Sequence, residues 1–252
     1  MTETDSTASE VRLDIADGVA VMTLDAPDRY NALTVSMARE MHRCFEQVDA
    51  DPSIGALVVT GAGRAFCAGA HLAALSEAGQ EPLSDESLAD LDAIYGSFTR
   101  LGSVGVPTIA AVNGAAVGAG VNLMFATDLR LVAPKARIIG GFLKRSLHPG
   151  GGHFLLLGRS AGRDAAAAVG LFGQEVLGAD AVSKGIAWEA IEPEHLIERA
   201  IELATPIAAD PKLARAMVAS FRTETEATQM TWPAAVQFER TPQLWSMHRL
   251  SH

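Results

Sequence analysis

A mixed α/β core with a helical C-terminal end is the fold class the sequence predicts. Three observations carry it: short apolar runs that stop at glycine turns, amphipathic helical patterns between them, and a shift to alanine-rich helical sequence after Arg163. In chain order, Val11, Leu13 and Ile15 alternate, as do Val19, Val21 and Thr23, and the Asp17-Gly18 pair between them predicts a hairpin. Thr34 is placed to cap a helix in which Met37, Met41, Cys44, Phe45 and Val48 recur at helical spacing until Asp51-Pro52. Residues 56–60 form a fully apolar strand. Residues 76–86 are polar and predict a loop. The next helix carries Leu88, Leu91, Ile94, Tyr95, Phe98 and Leu101. Residues 108–112 predict a buried strand running into a glycine-spaced segment that is helical by 122–126. Residues 129–133 and 137–139 are further strands, and 148–153 is a glycine cluster between two histidines. After Arg163 helices dominate, with one strand-like interruption at 186–191. Residues 193–246 predict successive helices, with Trp232, Val236, Phe238 and Trp245 on or near an apolar side. No internal repeat or linker stands out.

The 252 residues are 48% hydrophobic and carry a net charge of −10, which argues against binding to nucleic acid or to an anionic membrane surface. Two cysteines, Cys44 and Cys67, make no disulfide framework, and no apolar run reaches membrane-helix length. The polar opening, residues 1–10, lacks the charged and apolar regions of a signal peptide and is expected to be a loose tail. The expected location is cytoplasmic.

Familiar chemical motifs fail. Residues 57–66 begin like a dinucleotide-binding turn, but Phe66 stands at the third glycine, and no acidic strand end follows. There is no phosphate-binding P-loop and no GxSxG elbow. His148 and His153 flank three glycines without further metal ligands, and His71 stands alone, so no metal site is expected. What remains is two glycine-rich turns, residues 65–72 and 111–123, each after an apolar strand. Small residues there let a ligand approach backbone N–H groups near a helix N-terminus; tight packing accounts for the pattern equally well.

Read together, LDAPDRYNAL (24–33), VTGAGRAFCAGA (59–70), IAAVNGAAVGAG (109–120), Asp128-Leu-Arg130 and Pro149-Gly150 resemble the enoyl-CoA hydratase/isomerase, or crotonase, family, over about residues 11–210. The resemblance implies a crotonase-like spiral of ββα units spanning 11–195. It also implies a C-terminal helical region, 196–252, that assembles homotrimers or dimers of trimers. The implied ligand is an acyl-CoA thioester, CoA entering as part of the substrate with no separate cofactor. Two backbone N–H groups, on Ala70 and Ala119, would stabilise a thioester enolate.

The family's two acid–base glutamates fall on Asn122 and Phe142, neither of which transfers a proton near neutrality, so standard hydration is not expected. His148 then joins Asn122 as a candidate catalytic group, with His153, His71 or an ordered water held by Asn122 as the alternative proton donors. Phe142, His71, Gly118 and His153 are expected to line the pocket, and Arg29, Ala68 and Leu72 to hold CoA. Lys144 and Arg145 are further phosphate partners, while no lysine matches the family's C-terminal one around 216–222. Lyase, isomerase and decarboxylase-like chemistry all fit an oxyanion hole without paired bases. A non-catalytic acyl-CoA binder or carrier is the alternative.

Overall fold

The computed structural model describes residues 9–71, 81, 84–225 and 231–251. Leu72, most of the expected 76–86 loop and nearly all of the N-terminal tail lie outside these residues.

The predicted hairpin is β1 (Val11–Ala16) and β2 (Val19–Leu24), antiparallel, with Asp17 at φ 49° and Gly18 at φ 77° making its turn. The helix α1 (Val35–Ala50) follows, and Thr34 accepts a hydrogen bond from Met37 N at 3.1 Å, so the capping expectation holds. Three times thereafter a strand of a large sheet is followed by a very short strand of a second sheet and then a helical segment. These are β3 (Ala56–Gly61) with β4 (Ala65–Cys67) and, further along the chain, α2 (Asp85–Leu101); β5 (Thr108–Val112) with β6 (Ala115–Val117) and α3 (Ala119–Phe125); and β7 (Leu129–Val132) with β8 (Arg137–Ile139), a 3-10 turn at Leu143–Arg145 and α4 (His153–Ala166). The strands β9 (Glu175–Leu177) and β10 (Glu189–Ala190) close the two sheets, whose orders are β1-β2-β3-β5-β7-β10 and β4-β6-β8-β9. Matching order in both sheets is what successive turns of a ββα spiral produce. The strand-like pattern at 186–191 reduces to the two residues of β10.

The inner strands β2, β3 and β5 of the large sheet are buried on both faces, which explains their unbroken apolar runs. On β3, Leu57 and Val59 face the main core with Phe45, Phe98 and Leu33. Ala56 and Val58 face the other way, onto Leu196, Ala200 and Ala204. Those last residues lie on α6 (Pro193–Ala208), whose four-residue alanine spacing lets it sit against the sheet; a Cβ on Gly55 would come 2.7 Å from Ala208 Cα. The boundary expected at 195/196 therefore falls inside a helix that belongs to the core. The short α5 (Gly178–Ala181) precedes it, and α7 (Pro211–Thr225) and α8 (Trp232–Ser251) follow.

Three signature residues build this frame. Asn31 accepts from Ala26 N and donates to the carbonyls of Ala62 and Ala65 at 2.9 and 2.8 Å, tying the turn after β2 to the turn after β3. Asp128 accepts from Thr108 N and Oγ1 and from Arg222, whose Nη1 also donates to Val104 O. Arg130 donates to Ile186 O and Thr127 O. Arg222 and Arg215, in the region where a phosphate-binding lysine was sought, are thus engaged with the protein itself, Arg215 on the carbonyls of Val48, Asp51 and Ile54. No helix among the described residues is long and apolar enough to cross a membrane.

Candidate active site

A cavity of about 340 Å³ opens where the C-terminal ends of β4, β6 and β8 meet α2 and α8. Its first wall is backbone. Gly69, at φ 90°, stands so close to the next spiral turn that an added Cβ would meet Val117 O at 2.6 Å and Ala119 N at 3.5 Å. Leu33 N donates to Gly69 O, and His71 N donates to Leu33 O, so the bridge to residue 33 uses the groups on either side of Ala70 and leaves its own N–H out. Ala119 opens α3, where first-turn N–H groups have no helical acceptor. Neither the Ala70 N–H nor the Ala119 N–H has an acceptor among the described residues. The positive φ falls on Gly118 (54°), so the alanine at 119 costs nothing in backbone strain.

The second wall is α2, presenting Asp90, Leu91, Ile94, Tyr95 and Phe98, and the third is α8, presenting Gln243 and Met247. These residues, together with Leu147 and Gly150, went unpredicted as a site. The only trace they leave in the sequence is helical spacing, which a core face shares. The two glycine-rich turns are packed to carbonyl contact: a Cβ on Gly120 would lie 2.1 Å from Cys67 O. Cys67 itself is fully buried, and burial pushes its thiol up to about 12, so it is no nucleophile near neutral pH.

Asn122, 1% exposed, lines the cavity one turn beyond Ala119. Its Nδ2 donates to Gly150 O at 2.9 Å, and its Oδ1 lies 2.7 Å from His153 Nδ1. His153 is fully buried, and burial alone takes its pKa down to about 3, so the ring is neutral. Phe142 packs edge-on to it, ring centroids 5.0 Å apart.

Of the expected pocket residues, Phe142, His71 and Gly118 line the cavity and His153 does not: it sits behind Phe142 and Gly140. His148 is likewise outside the lining, its Nδ1 2.6 Å from Pro149 O and its ring edge-on to Phe154. Ala68, Arg29 and Arg145 line the mouth. Arg29 is part-committed, with Nη1 2.7 Å from Glu10 and Nε donating to Ala32 O, while its Nη2 is buried without a partner. Among the described lining residues Asp90 is the one carboxylate, and no group of three His, Cys, Asp or Glu side chains suited to a metal occurs among the described residues.

The far end is held by α8. Glu239, 4% exposed, accepts from the N–H groups of Gly152, His153 and Phe154 at the start of α4, at 2.8, 3.1 and 3.4 Å. Burial raises its pKa while these three bonds oppose the rise. Trp232 Nε1 donates to Gly151 O.

Comparison with known proteins gives one consistent result. The profile described as "Enoyl-CoA hydratase/isomerase" matches residues 14–243. The chain is 41% identical over 202 residues to a probable enoyl-CoA hydratase of Mycobacterium tuberculosis, covering 80% of this chain and 77% of that one. It is 33% identical over 221 residues to a 1,2-epoxyphenylacetyl-CoA isomerase of Escherichia coli, covering 86% and 84%. Among solved structures, an enoyl-CoA hydratase/isomerase from Mycobacterium paratuberculosis shares the fold, with a TM-score of 0.85 at 22% identity over 96% of this chain and 95% of that one.

Proposed function

The chain belongs to the enoyl-CoA hydratase/isomerase family, and from that premise we propose that it is an enzyme that holds an acyl-CoA thioester by its carbonyl oxygen and stabilises the enolate. One observation carries the reading: Ala70 N–H and Ala119 N–H stand on two adjoining turns at the cavity, and neither has an acceptor in the described protein. Two preorganised donors aimed at a developing oxyanion form an oxyanion hole, in which each donor is worth about 10²–10³ in rate. The apolar wall of Leu91, Ile94 and Phe98 suits the acyl chain. Arg29, Arg145 and Ala68 at the mouth suit the CoA end, where local cations offset the protein's net negative charge. CoA enters with the substrate, and no separate cofactor is invoked.

Asn122 and Phe142 bring no carboxylate pair to the acyl carbons, so the reading favours isomerase or decarboxylase-like chemistry over two-carboxylate hydration; in the first the Cα proton passes to His71, the histidine that lines the cavity, and in the second carbon dioxide leaves Cα and no base is needed. The test is deuterium incorporation at Cα of butyryl-CoA in D₂O, followed by proton NMR, together with turnover of crotonyl-CoA and longer enoyl-CoAs. Ala119→Pro removes one donor at a position where a helix tolerates proline. It is expected to cut exchange about 10²–10³-fold with the circular dichroism spectrum unchanged. Unaltered exchange in that variant overturns the oxyanion reading.

A second reading, a non-catalytic acyl-CoA binder, is favoured by the same Asn122, whose amide is tied on both sides, and by the apolar Phe142. Tight binding with neither exchange nor turnover selects it. Assembly as a trimer or a dimer of trimers is part of the proposal. It is supported by Leu213, Met217 and Phe221, which leave an apolar stripe exposed at four-residue spacing on α7; a monomeric mass by light scattering contradicts it.

A further inference from the structure

The hydrogen-bond network around Asn122 admits one arrangement of protons. Gly150 O can only accept, so the group facing it at 2.9 Å is the amide nitrogen of Asn122, and the group facing His153 is then Oδ1. An acceptor at 2.7 Å requires hydrogen on His153 Nδ1. The alternative tautomer would set two lone pairs against each other and bury an Nε2–H beside no partner, since Nε2 is buried and unbonded. The neutral state forced by burial removes the doubly protonated ring from consideration. The Asn122 amide therefore cannot flip. One Nδ2 hydrogen goes to Gly150 O; the second has no acceptor among the described residues, on a side chain that lines the cavity.

We propose that His153 is a positioning residue: it locks the Asn122 amide so that the cavity offers a hydrogen-bond donor one helical turn beyond Ala119 N–H, selecting acyl groups with a carbonyl oxygen near their third carbon. Three residues of helix separate Ala119 from Asn122, a rise of about 4.5 Å, which sets the amide alongside the acyl carbons that follow a thioester carbonyl held at Ala119. A carboxylate at 122 would present the opposite polarity. The inference rests on the acyl-CoA reading above.

Calorimetry with acetoacetyl-CoA and butyryl-CoA on the full chain tests it. The expected preference for acetoacetyl-CoA is about five- to tenfold, the size of one neutral hydrogen bond. His153→Leu reduces it to within about twofold, and His153→Asn, whose amide nitrogen takes the place of Nδ1, retains it. Independently of any variant, ¹⁵N NMR of the native protein should find His153 protonated on Nδ1 and bare on Nε2, with no titration between pH 5 and 8 of the order its burial implies. Equal binding of the two thioesters, a preference that survives His153→Leu, or an Nε2–H tautomer overturns the inference and leaves the acyl-CoA reading standing. Binding of neither thioester overturns both.

Discussion

The two sheets of this molecule divide its labour. The six-stranded sheet has strands of four to six residues apart from β10, is covered on both faces along β2, β3 and β5, and gathers Asn31, Asp128, Arg130 and Arg222 into hydrogen bonds that hold strand ends and helices together. The four-stranded sheet has strands of three residues, and its contribution is to bring Gly69-Ala70 and Gly118-Ala119 side by side. The contrast teaches that polar signature residues and the cavity need not coincide. The former fix the frame, while the small sheet brings to the cavity backbone N–H groups that leave almost no mark in composition.

The largest expected effect attacks the frame. Asp128→Ala strands Arg222 and unbonds Thr108, and breaking such a half-sequestered pair is expected to cost about 3 kcal/mol in urea unfolding. Crotonyl-CoA affinity should stay within about threefold, since no residue of the network lines the cavity and distant sites without shared partners act nearly independently. A parallel loss of binding breaks the comparison. The converse is Gly120→Ala, whose Cβ would force β4 and α3 apart at the Cys67 carbonyl. A shift of about 1 Å between the two donors is expected to lower affinity or rate about 100-fold, against a stability cost of about 2 kcal/mol.

The smallest effect sharpens the contrast through pH. His153 has a native pKa near 3, below its unfolded value, so the unfolded chain takes up a proton that the native one refuses. Its contribution to stability is complete above about pH 6.5 and is lost as pH falls, at about 1.4 kcal/mol per unit, or about 2 kcal/mol by pH 5. His153→Asn should flatten that part of the stability profile measured by denaturant titration.

Legibility in the sequence followed the same division. The apolar runs of β3 and β5, the hairpin turn at Asp17-Gly18 and the Thr34 cap were readable because burial on both faces and special backbone angles constrain residue type. The strands β4 and β6 were read as glycine turns only, because three residues are too few to display a period. For the same reason, the ββα repeat never surfaced as a sequence repeat. Ala70 and Ala119 emerged only through resemblance to a family, since a backbone donor tolerates many side chains. His148 was a natural candidate by residue type alone, and it falls outside the cavity lining. Tyr95 and Gln243 were illegible as cavity residues because they look like one face of an ordinary core helix.

Glu239 gives the cavity a timetable. The carboxylate that satisfies the first N–H groups of α4, and so settles where His153 sits, lies 87 residues downstream of Gly152. At a synthesis rate of about 5–20 residues per second, roughly 4 to 17 seconds separate the appearance of the two on a growing chain. Over that interval β9, β10 and α6, which complete the two sheets and cover the larger one, are also made, while the helix that carries His153 begins without its anion. The side of the cavity at Asn122 and His153 is consequently among the last parts of this molecule to acquire its final shape.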